Sequence, residues 1–145
     1  MPGIVVGLDG SANSERALDW ALSHAAALNT SLTAIAVHQV ARSYWGHDPV
    51  VGAGDVTLVE QLQRSAEDMT QRALDRLTGA RPSSVQTRAV NGFVVEELVN
   101  ASRDADELVL GSRSTSGLQR LVMGSVSNEI VQHSACPVVI VPYER

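Results

Sequence analysis

The segment "GSRSTSGLQRLVMGSVS", from Gly111 to Ser127, combines glycines and hydroxylated side chains in a way that could hold a phosphate. It follows "DELVL", which is predicted to form a buried strand, and its own apolar helical pattern is interrupted by Gly124. Glycine inside a helix costs about 1 kcal/mol relative to alanine, so a helix that begins at Ser125 would explain the interruption. Free N–H groups at a helix start, with hydroxyls nearby, bind anions. The pattern is equally compatible with an anion site at Ser125 and Ser127 and with a kinked helix that binds nothing.

Asp9 is a second candidate, because it closes the apolar run "IVVGLD" just before Gly10. Its carboxylate could meet a ribose hydroxyl or, through water, a metal ion, and it could equally cap the first helix. The surrounding "GLDGS" does not match the dinucleotide fingerprint G-x-G-x-x-G. All eleven basic residues are arginines. The absence of lysine excludes a P-loop of the GxxxxGK[ST] type and Schiff-base chemistry.

Apolar runs and helical patterns alternate along the chain and position these residues. The predicted strands are "IVVGLD", "SLTAIAVHQV", "SVQTRAV", "DELVLGS" and "CPVVIVP". Amphipathic segments between them predict helices, including a long one from Val56 to Leu77 and one over "NGFVVEELVNASRDA". This order is typical of a single doubly wound α/β domain, a parallel sheet with helices on both faces. "SVQTRAV" alternates more than the other strands, which places it nearer an edge.

The topology tells where a ligand would bind. Ligands of such sheets bind beyond the carboxyl ends of the strands, where the strand order reverses. Asp9 ends the first predicted strand and Gly111 ends the fourth. If these strands are neighbours, the two residues border one crevice.

Composition bounds the class of protein. The chain has 145 residues, a net charge of −5 and one cysteine. We expect one domain over residues 1–145, long enough to bury a sizeable core. No basic face, disulfide framework, signal peptide or membrane-length apolar run is predicted. We therefore expect a cytoplasmic protein that binds neither nucleic acid nor membrane.

Four segments resemble the universal stress protein family: "IVVGLDGSANSERALDWA", "LVLGSR", "GSVS" and "HSACPVVIVP". The resemblance covers essentially the whole chain. Its most diagnostic part is the nucleotide motif G-x2-G-x9-G-[ST]. Gly111 fills the first position, Ser114 stands where the second glycine is expected, and Gly124 and Ser125 fill the last pair. The resemblance implies a five-stranded parallel sheet of order 3-2-1-4-5.

The resemblance also implies ATP as the ligand, with Mg²⁺ accompanying the nucleotide. The residues that match the adenine end of the site are Gly7, Leu8, Asp9 and Gln39. The residues that match the ribose and phosphate end are Leu110, Gly111, Arg113, Ser114, Gly124, Ser125, Val126 and Ser127. Serine at position 114 is strained if that position needs a positive φ, although its hydroxyl could instead contact phosphate.

The last predicted strand is where we expect contact with a partner chain. In the implied order it lies at the sheet edge, and an apolar edge invites pairing with another chain. We expect a homodimer through this strand, formed by Val138, Val139, Ile140 and Val141. The C-terminal "YER" and a helix could instead cover the edge in a monomer.

Three functions remain in competition. The first is a nucleotide-dependent sensor in the stress response that acts through partner proteins. The second, favoured by Ser114, is a dimeric scaffold of the same fold with an empty crevice. The third is a slow ATPase, for which the sequence offers Arg113 as a cation but no convincing base. No catalytic residue is assigned, and no cluster has the spacing of a metal site.

Overall fold

Strands and helices alternate along the chain, as the sequence predicts. The structure is a computed structural model, and it describes residues 3–10, 12–39, 53–112 and 125–142. The elements in chain order are β1 Ile4–Leu8, α1 Ala12–Leu28, β2 Leu32–Gln39, α2 Ala53–Arg76, β3 Val85–Gly92, α3 Val94–Ser102, β4 Glu107–Gly111, α4 Ser125–His133 and β5 Val138–Val141.

All five strands are parallel and form one sheet of order β3-β2-β1-β4-β5. The predicted fold class is therefore confirmed. β1 is central: Ile4 is in register with Leu32 of β2 on one side and with Glu107 of β4 on the other. Because the strand order reverses between β1 and β4, their carboxyl ends border a crevice.

The helices form two layers around the sheet. On one face, α1 and α2 cover a core cluster to which α1 contributes a stripe of buried residues. The stripe has the spacing of a single helix face and consists of Ala17, Leu18, Ala21, Leu22 and Ala25. On the other face, α3 and α4 cover a second cluster that includes Leu98 and Ile130. Since both faces are covered, the central strands read as continuous apolar runs.

The starts of two helices differ from prediction by three residues. Asn91 and Gly92 were predicted to start the third helix, but they extend β3, in register with His38 and Gln39 of β2. The eight-residue length of β2 provides ladder partners as far as Gly92, and this pairing outweighs the turn preference of Asn-Gly. The long second helix begins at Ala53, three residues before the predicted Val56.

The sheet has two edges, β3 and β5. Along β3, half-buried and exposed residues alternate from Val85 to Arg88, so the prediction that this strand lies at an edge is confirmed. At the other edge, Val138, Val139 and Ile140 are half-buried. No helix within the described ranges is both long and apolar enough to cross a membrane.

Candidate functional site

A cavity of about 340 Å³ lies at the carboxyl ends of the central strands. This volume is within the range of about 300–1,000 Å³ that is usual for small-molecule sites. The lining residues come from β1, β2 and β4 and from the nearby ends of α1, α3 and α4. They are Gly7, Leu8, Asp9, Ser14, Ile35, Val37, Val94, Leu98, Leu110, Gly111, Val126 and Ser127.

One side of the cavity is apolar. It is built by Ile35 and Val37 of β2 with Val94 and Leu98 of α3. The absence of a side chain at Gly7 allows Leu98 and Leu110 to pack against the β1 backbone. A Cβ at that position would lie 3.0 Å from Leu110 Cδ2 and 3.1 Å from Leu98 Cδ1. Such a slot suits a flat, weakly polar group such as a nucleobase.

The other side is polar and lies where two helices begin. Ser14 is in the first turn of α1 and Ser127 in the first turn of α4, and both residues are buried. The N–H groups of a first helical turn have no partner within the helix and carry the positive end of its dipole. Asp9, which is exposed, is the one charged residue among the described lining residues. The described polar side thus offers helix N-termini and hydroxyls, with no arginine side chain.

Gly111 has a packing role that the sequence did not indicate. A Cβ at Gly111 would lie 2.6 Å from the backbone oxygen of Asn13 and 2.8 Å from its carbonyl carbon. The Asn13 side chain donates from Nδ2 to the carbonyl oxygen of Ser112 at 2.6 Å. Glycine at this position therefore lets the first turn of α1 pack directly on the end of β4.

Seven of the twelve predicted site residues line the cavity. They are Gly7, Leu8, Asp9, Leu110, Gly111, Val126 and Ser127. Gln39 ends β2 and Ser125 begins α4, but their side chains are not described. Arg113, Ser114 and Gly124 lie outside the described residues. The consequence of serine at the second motif position thus stays a prediction.

Five lining residues were not predicted. Ile35 and Val37 alternate along β2, and Val94 and Leu98 are four residues apart on α3. These spacings are also those of core residues, so the sequence carried no separate signal for a ligand wall. The fifth residue, Ser14, lies in the first turn of α1.

The histidines and acids of the described ranges form no cluster of three or more that could hold a metal ion. His24 lies 3.3 Å from a carboxylate oxygen of Glu107, at the amino end of β4, and stacks on Trp20 with ring centroids 4.6 Å apart. This pair is at the opposite end of the sheet from the cavity. His133 is exposed in the last turn of α4, where a basic side chain complements the helix dipole.

A doubly wound parallel sheet with a cavity at its strand-order reversal is the architecture of α/β proteins in which ligands bind at strand ends. A model of the universal stress protein family matches residues 2–142. The chain therefore belongs to the universal stress protein family, and the resemblance seen in the sequence is confirmed.

Relatives and solved structures agree with this assignment. A universal stress protein of Mycobacterium tuberculosis is 30% identical over 139 residues, covering 96% of this chain and 47% of that protein. The chain spans about half the length of the first curated relatives that it matches. The universal stress protein UspA of Lactobacillus plantarum has the same fold, with a TM-score of 0.76, 22% identity and 97% of each chain covered. A universal stress protein crystallised in complex with cAMP has a TM-score of 0.66 and 28% identity, with 97% of this chain and 95% of that chain covered.

Proposed function

We propose that this domain binds an adenine nucleotide, ATP with its accompanying Mg²⁺, in the cavity between β1 and β4. Nucleotide occupancy would then regulate contacts with partner proteins in a stress response. The observation that carries the proposal is the division of one cavity of about 340 Å³ into an apolar slot and a polar side where α1 and α4 begin. The cAMP complex of a 28% identical family member supports an adenine nucleotide as the ligand class.

Each side of the cavity would hold one part of the nucleotide. The base packs in the slot between Val37 and Val94, where burial of apolar surface favours it. Asp9 accepts hydrogen bonds from ribose hydroxyls. The first-turn N–H groups of α4 and the Ser127 hydroxyl face the phosphates, whose negative charge the helix dipole favours.

The remaining motif residues belong to the same proposal. Gln39 would lie at the base, while Arg113, Ser114, Gly124 and Ser125 would surround the phosphates. Asp9 is the one carboxylate among the described lining residues. A magnesium ion would therefore be held mainly by the nucleotide itself, since Mg²⁺ is commonly bound through substrate phosphates and one or two carboxylates. We propose no catalytic residue.

Isothermal titration of nucleotide-free protein with Mg-ATP, and separately with cAMP, tests the proposal. Saturable binding of about one nucleotide per chain is expected at a single cavity of this size. Val37→Trp fills the apolar slot and should abolish the heat of binding. Val131→Trp is the matched control, because Val131 is 41% exposed on α4 and does not line the cavity.

Two results would contradict nucleotide binding in this cavity. One is the absence of heat with either nucleotide in the wild-type protein. The other is equal binding by both tryptophan variants, which would place the ligand elsewhere. The first result would favour the scaffold with an empty crevice.

We further propose that the outer edge of β5 pairs with its counterpart in a second copy. Val138, Val139 and Ile140 are half-buried at this edge, and the strand carries no charge that would oppose pairing. Light scattering of the wild-type chain and of Ile140→Lys tests the pairing. A dimer that becomes monomeric in Ile140→Lys is expected, and a wild-type monomer throughout a wide concentration range would refute it.

A further inference from the structure

The outer edge of β3 is bonded to a side chain of α2. Gln63 donates from Nε2 to the carbonyl oxygen of Thr87 at 2.8 Å. The backbone N–H of Ala89 donates to Gln63 Oε1 at 2.6 Å. One side-chain amide thus satisfies an acceptor and a donor that lie two residues apart on the same strand.

These two backbone groups lie on the side of β3 that faces away from β2. Among the strands that the structure describes, β3 is an edge strand with β2 as its one neighbour, and the bonds to Gln63 are made by groups that the ladder does not use. A primary amide presents the same N–H and C=O groups as a peptide unit. Gln63 therefore occupies the place that a peptide unit of an added strand would take.

The orientation of the amide is fixed by a third contact. Gln63 Nε2 also donates to Glu67 Oε1, one helical turn further along α2, at 2.7 Å. The two hydrogens of the amide nitrogen thus have one acceptor each, and the oxygen receives the Ala89 N–H. A flipped amide would set its NH₂ group against the Ala89 N–H and its oxygen against two acceptors, so the network selects a single orientation.

We propose that Gln63 blocks the outer edge of β3 against strand addition by a second copy of this chain. An edge strand of eight residues with free N–H and C=O groups is a template for pairing with another chain. The bond pair from Gln63 removes this template at the middle of β3, where two antiparallel copies would make their central contacts. The residues involved do not line the cavity, so this proposal can be tested independently of nucleotide binding.

The test compares Gln63→Ala with Gln71→Ala by size-exclusion chromatography with light scattering over a wide concentration range. Gln71 is the matched control: it lies on the same helix and bonds Asp75 four residues on, at 3.0 Å. Both variants lose an exposed i,i+4 contact on α2, and only Gln63→Ala uncovers the strand. We expect the mass of Gln63→Ala to rise above that of the wild-type species as concentration increases, through an isologous contact between uncovered β3 edges. A dimer joined at β5 has two such edges, so the association is not limited to one doubling. Gln71→Ala should match the wild type at every concentration.

Hydrogen exchange at the Ala89 amide shows whether the edge has been uncovered. At concentrations too low for association, its exchange should be about tenfold faster in Gln63→Ala than in wild type or Gln71→Ala, because its acceptor is gone. Ala89→Pro then removes the outward donor in the Gln63→Ala background, and the wild-type mass should return.

Three results would overturn the proposal. Unchanged Ala89 exchange in Gln63→Ala would show that the amide does not cover the strand. Faster exchange without any rise in mass would show that the uncovered edge needs no blocking. Association that persists in the double variant of Gln63→Ala and Ala89→Pro would show that the new contact is not made by the outer edge of β3.

Discussion

Replacing Gly111 by alanine should destabilise the fold even without any ligand. The added Cβ would lie 2.6 Å from the backbone oxygen of Asn13, and Cβ atoms essentially never lie within 3.0 Å of a non-bonded heavy atom. The clashing group is backbone in the first turn of α1, so it cannot swing aside as the end of a long side chain could. The helix must move away from β4.

Two terms set the size of the effect. Overpacking of a closely packed site costs about 1–3 kcal/mol. Movement of α1 also stretches the 2.6 Å bond from Asn13 to the Ser112 carbonyl, and a buried acceptor left unpaired costs about 1–3 kcal/mol. We therefore expect the free energy of unfolding to fall by about 2–6 kcal/mol. At roughly 3 °C per kcal/mol, this lowers Tm by about 6–18 °C.

Urea unfolding of four proteins measures the effect: the wild type, Gly111→Ala, Asn13→Ala and the double variant. Because displacement of α1 already weakens the Asn13 bond, the two substitutions share one loss. The double variant should therefore be more stable than the sum of the single changes implies, by about 1 kcal/mol. A loss below about 0.5 kcal/mol in Gly111→Ala, the size of an ordinary surface effect, would refute the close packing. Strict additivity would show that helix displacement is not the cause.

Three further outcomes are expected from urea unfolding of single variants. Asn13→Ala alone should cost about 1–3 kcal/mol, since it leaves the Ser112 carbonyl without its buried donor, and a neutral result would mean that water replaces the amide. Leu98→Ala should cost about 2–5 kcal/mol, because Leu98 is 3% exposed between α3 and the sheet, and a loss below about 1 kcal/mol would indicate that the wall collapses. The side-chain hydrogen bond from Arg76 to Asp19 raises the pKa of Arg76, but both groups are 46% exposed. Arg76→Ala should therefore change stability by less than about 1 kcal/mol, and a larger loss would contradict a solvent-screened pair.

Most of the fold could be predicted because each element has an unambiguous local pattern. The stripe from Ala17 to Ala25 has helical spacing, and the run from Ile4 to Leu8 is apolar on both faces, as a central parallel strand requires. The predicted start of α3 was wrong. Asn91 and Gly92 form a turn signal in isolation, and the prediction therefore ended the strand before them. Their strand conformation depends on pairing with β2, which local sequence does not encode.

Site residues at the ends of strands could be predicted from the topology. Site residues that are placed by side-chain packing could not. Asp9 and Gly111 were expected at one crevice because parallel strands end at the same sheet edge, and both line the cavity. Val37 and Leu98 were missed because a ligand wall and a core face have the same periodicity. The contact of Gly111 with Asn13 joins residues 98 positions apart, and no spacing rule reveals it.

The contact between Gly111 and α1 changes what this glycine means when sequences of the family are compared. The packing of α1 on the end of β4 requires glycine at position 111 whether or not a ligand is bound. Glycine at the first motif position is therefore not by itself evidence of a ligand. Wall positions such as Val37 are more informative, because a larger side chain there would fill the slot without disturbing the contact of α1 with β4.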